Sequence, residues 1–151
     1  MQNLKILNNK EVKKIMNELK EQYGTTEKLD FAFFENFKSK VYILSKKFGE
    51  LNDKNLRINN LGMYFGKKEK GGFRLSIEGA QMIKAKKNVL EIDDREVLEW
   101  ISRNDLKTSE KMNGFIIIRN KNDVYGVGKI KEGKVMNFVS KDRRVIRPQE
   151  S

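Results

Sequence analysis

The 151-residue chain contains no cysteine and no histidine. Without cysteine there is no disulfide scaffold and no thiol chemistry, and without both residues the common Cys/His zinc sites are excluded. A Ser-His-Asp relay and imidazole general-base catalysis go the same way. Long hydrophobic runs are missing too: no window approaches the roughly 18 consecutive apolar residues that a membrane span requires. Met1 to Asn9 offers only Leu4, Ile6 and Leu7 as aliphatics, so no targeting signal is read there and a cytoplasmic location is expected. There is no GxGxxG and no phosphate loop. Gly62, Gly66, Gly71 and Gly72 are spaced around Phe65 and Phe73 as in a hairpin rather than a phosphate cradle. Gly126-Val127-Gly128 has no helix after it and reads as a strand that needs a bulge or a close approach.

What the chain does have is positive charge. Its 32 Lys plus Arg against 21 Asp plus Glu give a formal net charge of +11. Such a balance makes a phosphate-rich polymer the first partner to consider. The distribution is uneven. Residues 1–88 hold 19 bases and 10 acids, whereas Glu91 to Glu110 holds seven acids and three bases, and Lys111 to Ser151 holds ten bases and four acids. The acidic stretch is expected to face away from a polyanion and the basic tail to meet it.

The patterning predicts an α+β chain. Val12, Ile15, Met16 and Leu19 form one stripe of a helix over about Lys10 to Gln22, capped by Asn8 with Glu11 reaching back and stopped by Gly24. Its opposite face, with Lys13, Lys14, Lys20, Glu18 and Glu21, is of mixed charge and suits solvent. Strands are expected at Phe31–Phe34 and Lys40–Leu44, a helical turn over Lys46–Phe48, and strands at Leu56–Ile58 and Leu61–Lys67. The last is joined across Lys68 to Gly72 to Phe73–Leu75. Ser76 caps a helix running to about Lys84, and Gly79 inside it costs roughly 1 kcal/mol against Ala, which implies a close neighbour. Lys84 to Asn88 is the best boundary between domains. Beyond it come a strand Val89–Ile92 and a helix capped by Asp93, with Val97, Leu98 and Ile101 on one face and Trp100 alongside. A polar loop follows from Asp105 to Asn113, then strands Gly114–Arg119, Val124–Ile130 and Lys134–Val139, and a last short strand at Val145–Ile146 ended by Pro148. Several short strands with one helix suggest a small barrel.

Asp93, Asp94 and Glu96 are explained by a helix start rather than by a metal site. No catalytic residue, metal or cofactor is assigned, and the chain is expected not to be an enzyme. The nucleic-acid candidates are three basic groups. The first is Lys141-Asp142-Arg143-Arg144 with Arg147, where arginine forks can hold phosphate oxygens. The second is Lys67, Lys68, Lys70 and Arg74 around a hairpin, and the third, Lys84, Lys86 and Lys87, is best read as a charged linker. Among aromatics, Phe115 and Trp100 read as core, Tyr64 and Tyr125 as more open, and Phe138 is a further candidate base platform.

Leu61-Gly62-Met63-Tyr64-Phe65-Gly66-Lys67 followed by Gly72-Phe73-Arg74-Leu75-Ser76, with Lys40 to Ser45 and the opening helix, resembles the pre-PUA domain of an archaeal-type ribosome-biogenesis family. In that family the pre-PUA domain precedes a PUA domain, a small RNA-binding barrel. Gly114 to Ile118 through Val124 to Lys129 resembles the PUA core, and also the PUA-like tail of sun-type cytosine-5 RNA methyltransferases, which ends in a basic run matching Ser140 to Arg144. The resemblance implies a mixed α/β pre-PUA domain over residues 1–87 and a PUA-like β-barrel over 88–151. It implies RNA binding by Lys141, Arg143, Arg144 and Arg147; Lys67 and Arg74 are added as candidates by the charge around the hairpin alone. Ribosomal RNA is the implied partner, in rRNA maturation or ribosome assembly. The alternative is a protein-interaction module or accessory subunit for an RNA-modifying enzyme or assembly factor. Methyl transfer is not carried over, because the catalytic domain and its cysteines are absent. One position departs from the pattern: Arg103 stands where such domains often place Gly after a helix, so a turn of different shape is expected there.

Overall fold

A computed structural model describes residues 4–45 and 62–137 of the chain. The expected helical turn over Lys46–Phe48 and the strands at Leu56–Ile58 and Val145–Ile146 lie outside the described residues. A short strand β1 (Lys5–Ile6) leads into helix α1 (Asn9–Tyr23). Asn8 caps it reciprocally: its side chain accepts from the Glu11 N–H at 2.8 Å, and its own N–H donates to the Glu11 carboxylate at 3.0 Å. Gly24, at φ 66°, closes the other end by donating to the Lys20 carbonyl. Ile15 and Leu19 of the predicted stripe are buried, and Tyr23, one residue past the expected end of the helix, is buried with them.

Strands β2 (Phe31–Glu35), β3 (Lys40–Ser45), β4 (Met63–Glu69) and β5 (Gly72–Leu75) complete an antiparallel sheet in the order β1-β2-β3-β4-β5. Val41 pairs with Gly66 and the next residue, Tyr42, with Tyr64, so Phe65 is an inserted bulge residue. The bulge puts Phe65 into the core against Phe33 and Phe73, at ring-centroid distances of 5.8 and 5.6 Å. The β4–β5 turn is tighter than the sequence suggested, since Glu69 pairs with Gly72 and only Lys70 and Gly71 lie between. Ser76 then caps helix α2 (Ile77–Ile83). A Cβ on Gly79 would fall under 3.0 Å from the Phe65 carbonyl oxygen, which is the close approach its presence in a helix implied.

The second sheet, of β6 (Val89–Glu91), β7 (Leu106–Lys107), β8 (Phe115–Asn120), β9 (Asp123–Lys131) and β10 (Lys134–Asn137), has the order β6-β8-β9-β10-β7 and is curled as a half-barrel. Strand β6 runs parallel to β8. Strands β9, β10 and β7 add antiparallel. The stretch expected as a polar loop therefore contains a strand, β7, because Leu106 is buried opposite Val135. Close approach explains Gly128: a Cβ there would meet the Met136 carbonyl oxygen at 2.5 Å.

Helix α3 (Asp94–Ile101) begins with a second reciprocal cap, between Asp93 and Glu96. Its apolar face differs from the expected one. Trp100 is buried and donates its indole N–H to the Tyr125 carbonyl at 3.0 Å, whereas Leu98 is 64% exposed. Val97, Trp100 and Ile101 share the i, i+3, i+4 stripe, and Leu98, one residue on from Val97, is rotated off it. The turn after α3 also differs from expectation. Arg103 has φ 73°, donates to the Trp100 carbonyl, and is followed by Asn104 donating to the Glu99 carbonyl. That is the two-bond Schellman closure usually made with glycine. Arg103 keeps it because the two bonds satisfy carbonyls at the helix end and offset the left-handed strain.

Two hydrophobic clusters meet on β8. Phe115 and Ile117 join a cluster with Leu7, Ile15, Leu19, Tyr23, Phe65 and Phe73 from the first sheet and α1. Ile116 and Ile118 face a second cluster with Ile92, Trp100, Leu106 and Val135. Period-two alternation thus sends one aliphatic run into both clusters. Polar bonds reinforce the junction. The Tyr23 hydroxyl donates to the Phe73 carbonyl at 2.9 Å, Gln22 Nε2 to the Phe115 carbonyl at 3.3 Å, and Lys86 N–H to the Tyr23 carbonyl at 2.8 Å. The Asn88 amide donates to the Gln22 carbonyl. Residues 84–88, charged as they are, are held against the end of α1. Among the described residues no helix is long and apolar enough to cross a membrane.

Candidate nucleic-acid interface

The sequence-selected cations fall into two sets. Lys141, Arg143, Arg144 and Arg147, with the aromatic Phe138, lie outside the described residues. Lys67 and Arg74 are described, and they stand directly opposite each other on β4 and β5. Lys40 stands opposite Lys67 from β3, so three cations cross three strands in one row. Strand alternation sets this row on the face turned from Val41, Ile43, Phe73 and Leu75. The inserted Phe65 brings Tyr64 onto the same face as Lys67. The Tyr42 and Tyr64 rings are 5.5 Å apart, and Lys40 Nζ lies 5.8 Å from the Tyr64 ring centroid.

The row is partly neutralised from within. Glu69 accepts from Arg74 Nε at 3.1 Å and lies 4.0 Å from Lys67 Nζ. Lys68 is paired with Glu35 at 2.7 Å, and Lys70 is exposed at the hairpin tip. Among the described residues, Glu69 is the acid seen against these three cations. Partial burial pushes the Tyr64 phenol above its ordinary range, so it stays neutral and keeps its hydroxyl proton. The third basic group is anchored through its backbone and exposes its side chains: Lys84, Lys86 and Lys87 all reach solvent, Lys84 with Glu27 at 4.0 Å.

Phe115 and Trp100 are buried as core, and Tyr125 is half-buried against the second cluster. Lys129 Nζ lies 4.5 Å from the Phe115 ring centroid, close to Gly71 of the neighbouring hairpin. Asp93 and Glu96 are engaged in the α3 cap, and Asp94 accepts from the Asn120 amide at 3.1 Å.

One aromatic was passed over by the sequence analysis. Phe37, in the turn between β2 and β3, is 79% exposed. A signal was present in the sequence: Glu35-Asn36-Phe37-Lys38-Ser39 has the polar composition of a turn, and Phe37 is the one apolar residue in it.

Residues 87–145 match the family model described as Methyltransferase RsmF PUA domain. All five strands of the second sheet and α3 lie inside that range. The second part of the chain is therefore similar to a PUA domain of the kind found at the tail of sun-type methyltransferases, and a PUA domain points to RNA binding. No curated protein matches the chain.

Proposed function

We propose that the chain is a non-catalytic RNA-binding protein acting in ribosomal RNA maturation or ribosome assembly. The observation that carries this is the PUA-domain match over residues 87–145, on a chain of net charge +11. The mechanism is electrostatic positioning. Lys141, Arg143, Arg144 and Arg147 follow the PUA sheet in sequence and hold phosphate oxygens, while Lys67 and Arg74 add charge from the first sheet. Phosphate contacts of this kind set register and orientation, and selectivity comes from RNA shape and exposed bases. The absence of cysteine and histidine supports a role without chemistry at the RNA.

A filter-binding salt titration with structured and single-stranded RNA tests the proposal. The logarithm of affinity should fall linearly with the logarithm of salt, with a slope of about 0.7 per single-strand phosphate contact. Replacing Arg143 and Arg144 together by Ala should weaken binding and flatten that slope. No measurable affinity at low salt overturns the proposal. A slight RNA loss beside an unchanged protein complex on co-purification would favour the interaction module instead. Crosslinking followed by sequencing of the bound RNA tests the ribosomal assignment, which requires enrichment of rRNA fragments.

A further inference from the structure

We infer that Phe37 is a stacking platform for an unpaired RNA base, placed on the first sheet and so outside the PUA-like half. The inference rests on the RNA-binding proposal above and adds to it a second contact of stated chemistry.

The turn that carries Phe37 is rigid. Asn36 is buried, and its side-chain oxygen accepts from the N–H groups of both Lys38 and Lys40 at 2.9 Å. The Asn36 N–H donates to the Lys40 carbonyl at 3.0 Å, and the Ser39 N–H donates to the Asn36 carbonyl at 3.1 Å. Ser39 takes φ 65°, and its carbonyl accepts from the Lys68 N–H of β4 at 3.0 Å. The turn is thus fixed both internally and to the next strand. A phenylalanine held out at 79% exposure from such a frame contributes almost nothing to the core. It does present a pre-positioned π-face at little ordering cost.

The surroundings select the occupant. Around this tip and the adjacent β4–β5 tip stand Lys38, Lys40, Lys67, Lys68, Lys70 and Arg74, against the acids Glu35 and Glu69. Lys38 Nζ lies 5.6 Å from the Phe37 ring centroid. An exposed ring among cations matches a ligand with flat π-faces and regularly spaced negative charge, which is single-stranded nucleic acid. A duplex would offer the phosphates but keep its bases stacked inside, so Phe37 would add nothing to duplex binding.

The test uses the full chain with oligouridine and oligoadenosine as single strands and a blunt RNA duplex as the comparison. Phe37→Ala should weaken single-strand binding by roughly 5- to 100-fold, leave duplex binding and the melting temperature unchanged, and leave the salt slope unchanged. Phe37→Trp should retain binding, and its emission should be quenched on saturation with the single strand, over a constant background from buried Trp100. Equal affinities of wild type and Phe37→Ala for single strands, or unquenched Phe37→Trp emission, overturn this inference while leaving the RNA-binding proposal standing. Failure of the wild type to bind any RNA overturns both.

Discussion

At the scale of single residues, Gly79 shows two effects of opposite sign. Alanine would gain roughly 1 kcal/mol of helix propensity, but its Cβ would drive into the Phe65 carbonyl, a backbone atom held in β4. Overpacking against backbone costs about 1–3 kcal/mol, so Gly79→Ala should destabilise the protein, read as a lower urea midpoint with an unchanged m-value. Arg103 is the converse. It sits at φ 73° with its closing bonds intact, so Arg103→Gly should gain up to about 1 kcal/mol, the relief of left-handed strain outweighing the added freedom of the unfolded chain. Tyr23 links packing to pH. Burial pushes its phenol well above the ordinary tyrosine range, with Glu18 reinforcing the shift and the Gln22 hydrogen bond opposing it. The folded state therefore keeps a proton that the unfolded chain loses near pH 10. Stability should be undiminished by this group below that pH and should fall by about 1.4 kcal/mol for each pH unit above it. Tyr23→Phe should remove most of that slope in urea melts between pH 9 and about 11, leaving the smaller parts due to Tyr64, which burial also raises, and to Lys5, which its bond to Glu11 raises.

At the scale of elements, ends were more legible than faces. Asn8 with Glu11 and Asp93 with Glu96 are three apart in sequence, and the first turn of a helix brings such pairs together whatever the tertiary context. Asn8→Ala should therefore cost about 1 kcal/mol, measurable as a loss of thermal stability and of α1 protection in hydrogen exchange. Glu11 is held below the usual carboxylate range, chiefly by Lys5 and then by the Asn8 N–H. The Glu11 carboxylate's contribution, to Lys5 and to the Asn8 N–H, is thus present at neutral pH and is lost as pH falls through that lowered value, whereas the Asn8 side-chain bond to the Glu11 N–H does not titrate. The buried face of α3 was not legible. Leu98 and Trp100 are both apolar, and only the space beside Tyr125 and Gly128 decides that the indole goes in. Strand β7 was missed for a similar reason: two residues carry no periodicity, and its pairing with β10 is what makes it a strand. The Phe65 bulge depends on the registers of both β3 and β5, neither of which a single strand encodes.

At the scale of the molecule, the shared cluster is the governing feature. Phe115, Ile117 and Val127 of the second sheet pack with Phe65, Phe73 and Tyr23, so the two sheets should unfold together. Far-UV circular dichroism and Trp100 fluorescence should give one coincident transition, and Phe73→Ala, in the first sheet, should move the Trp100-reported midpoint by the equivalent of about 3–5 kcal/mol. Two separated transitions would show that the cluster does not couple the halves. The same coupling fixes the β4–β5 hairpin against the half that matches the PUA model, since Lys129 lies beside Gly71 and Gln22 bonds to Phe115. Charge on the first sheet is therefore held in a set relation to that half.

The sequence by itself determined the strong positive charge, the α+β character, the helix N-caps Asn8 and Asp93, the hairpins and the choice of Lys67 and Arg74 as neighbours. These follow from composition and from contacts a few residues apart. Only the tertiary structure decided that Lys40 completes their row, that Tyr64 shares its face, and that Phe37 is left outside every core. Each of those depends on strand register and on which side chains fill the space between the sheets, and long-range packing leaves no local mark in the chain.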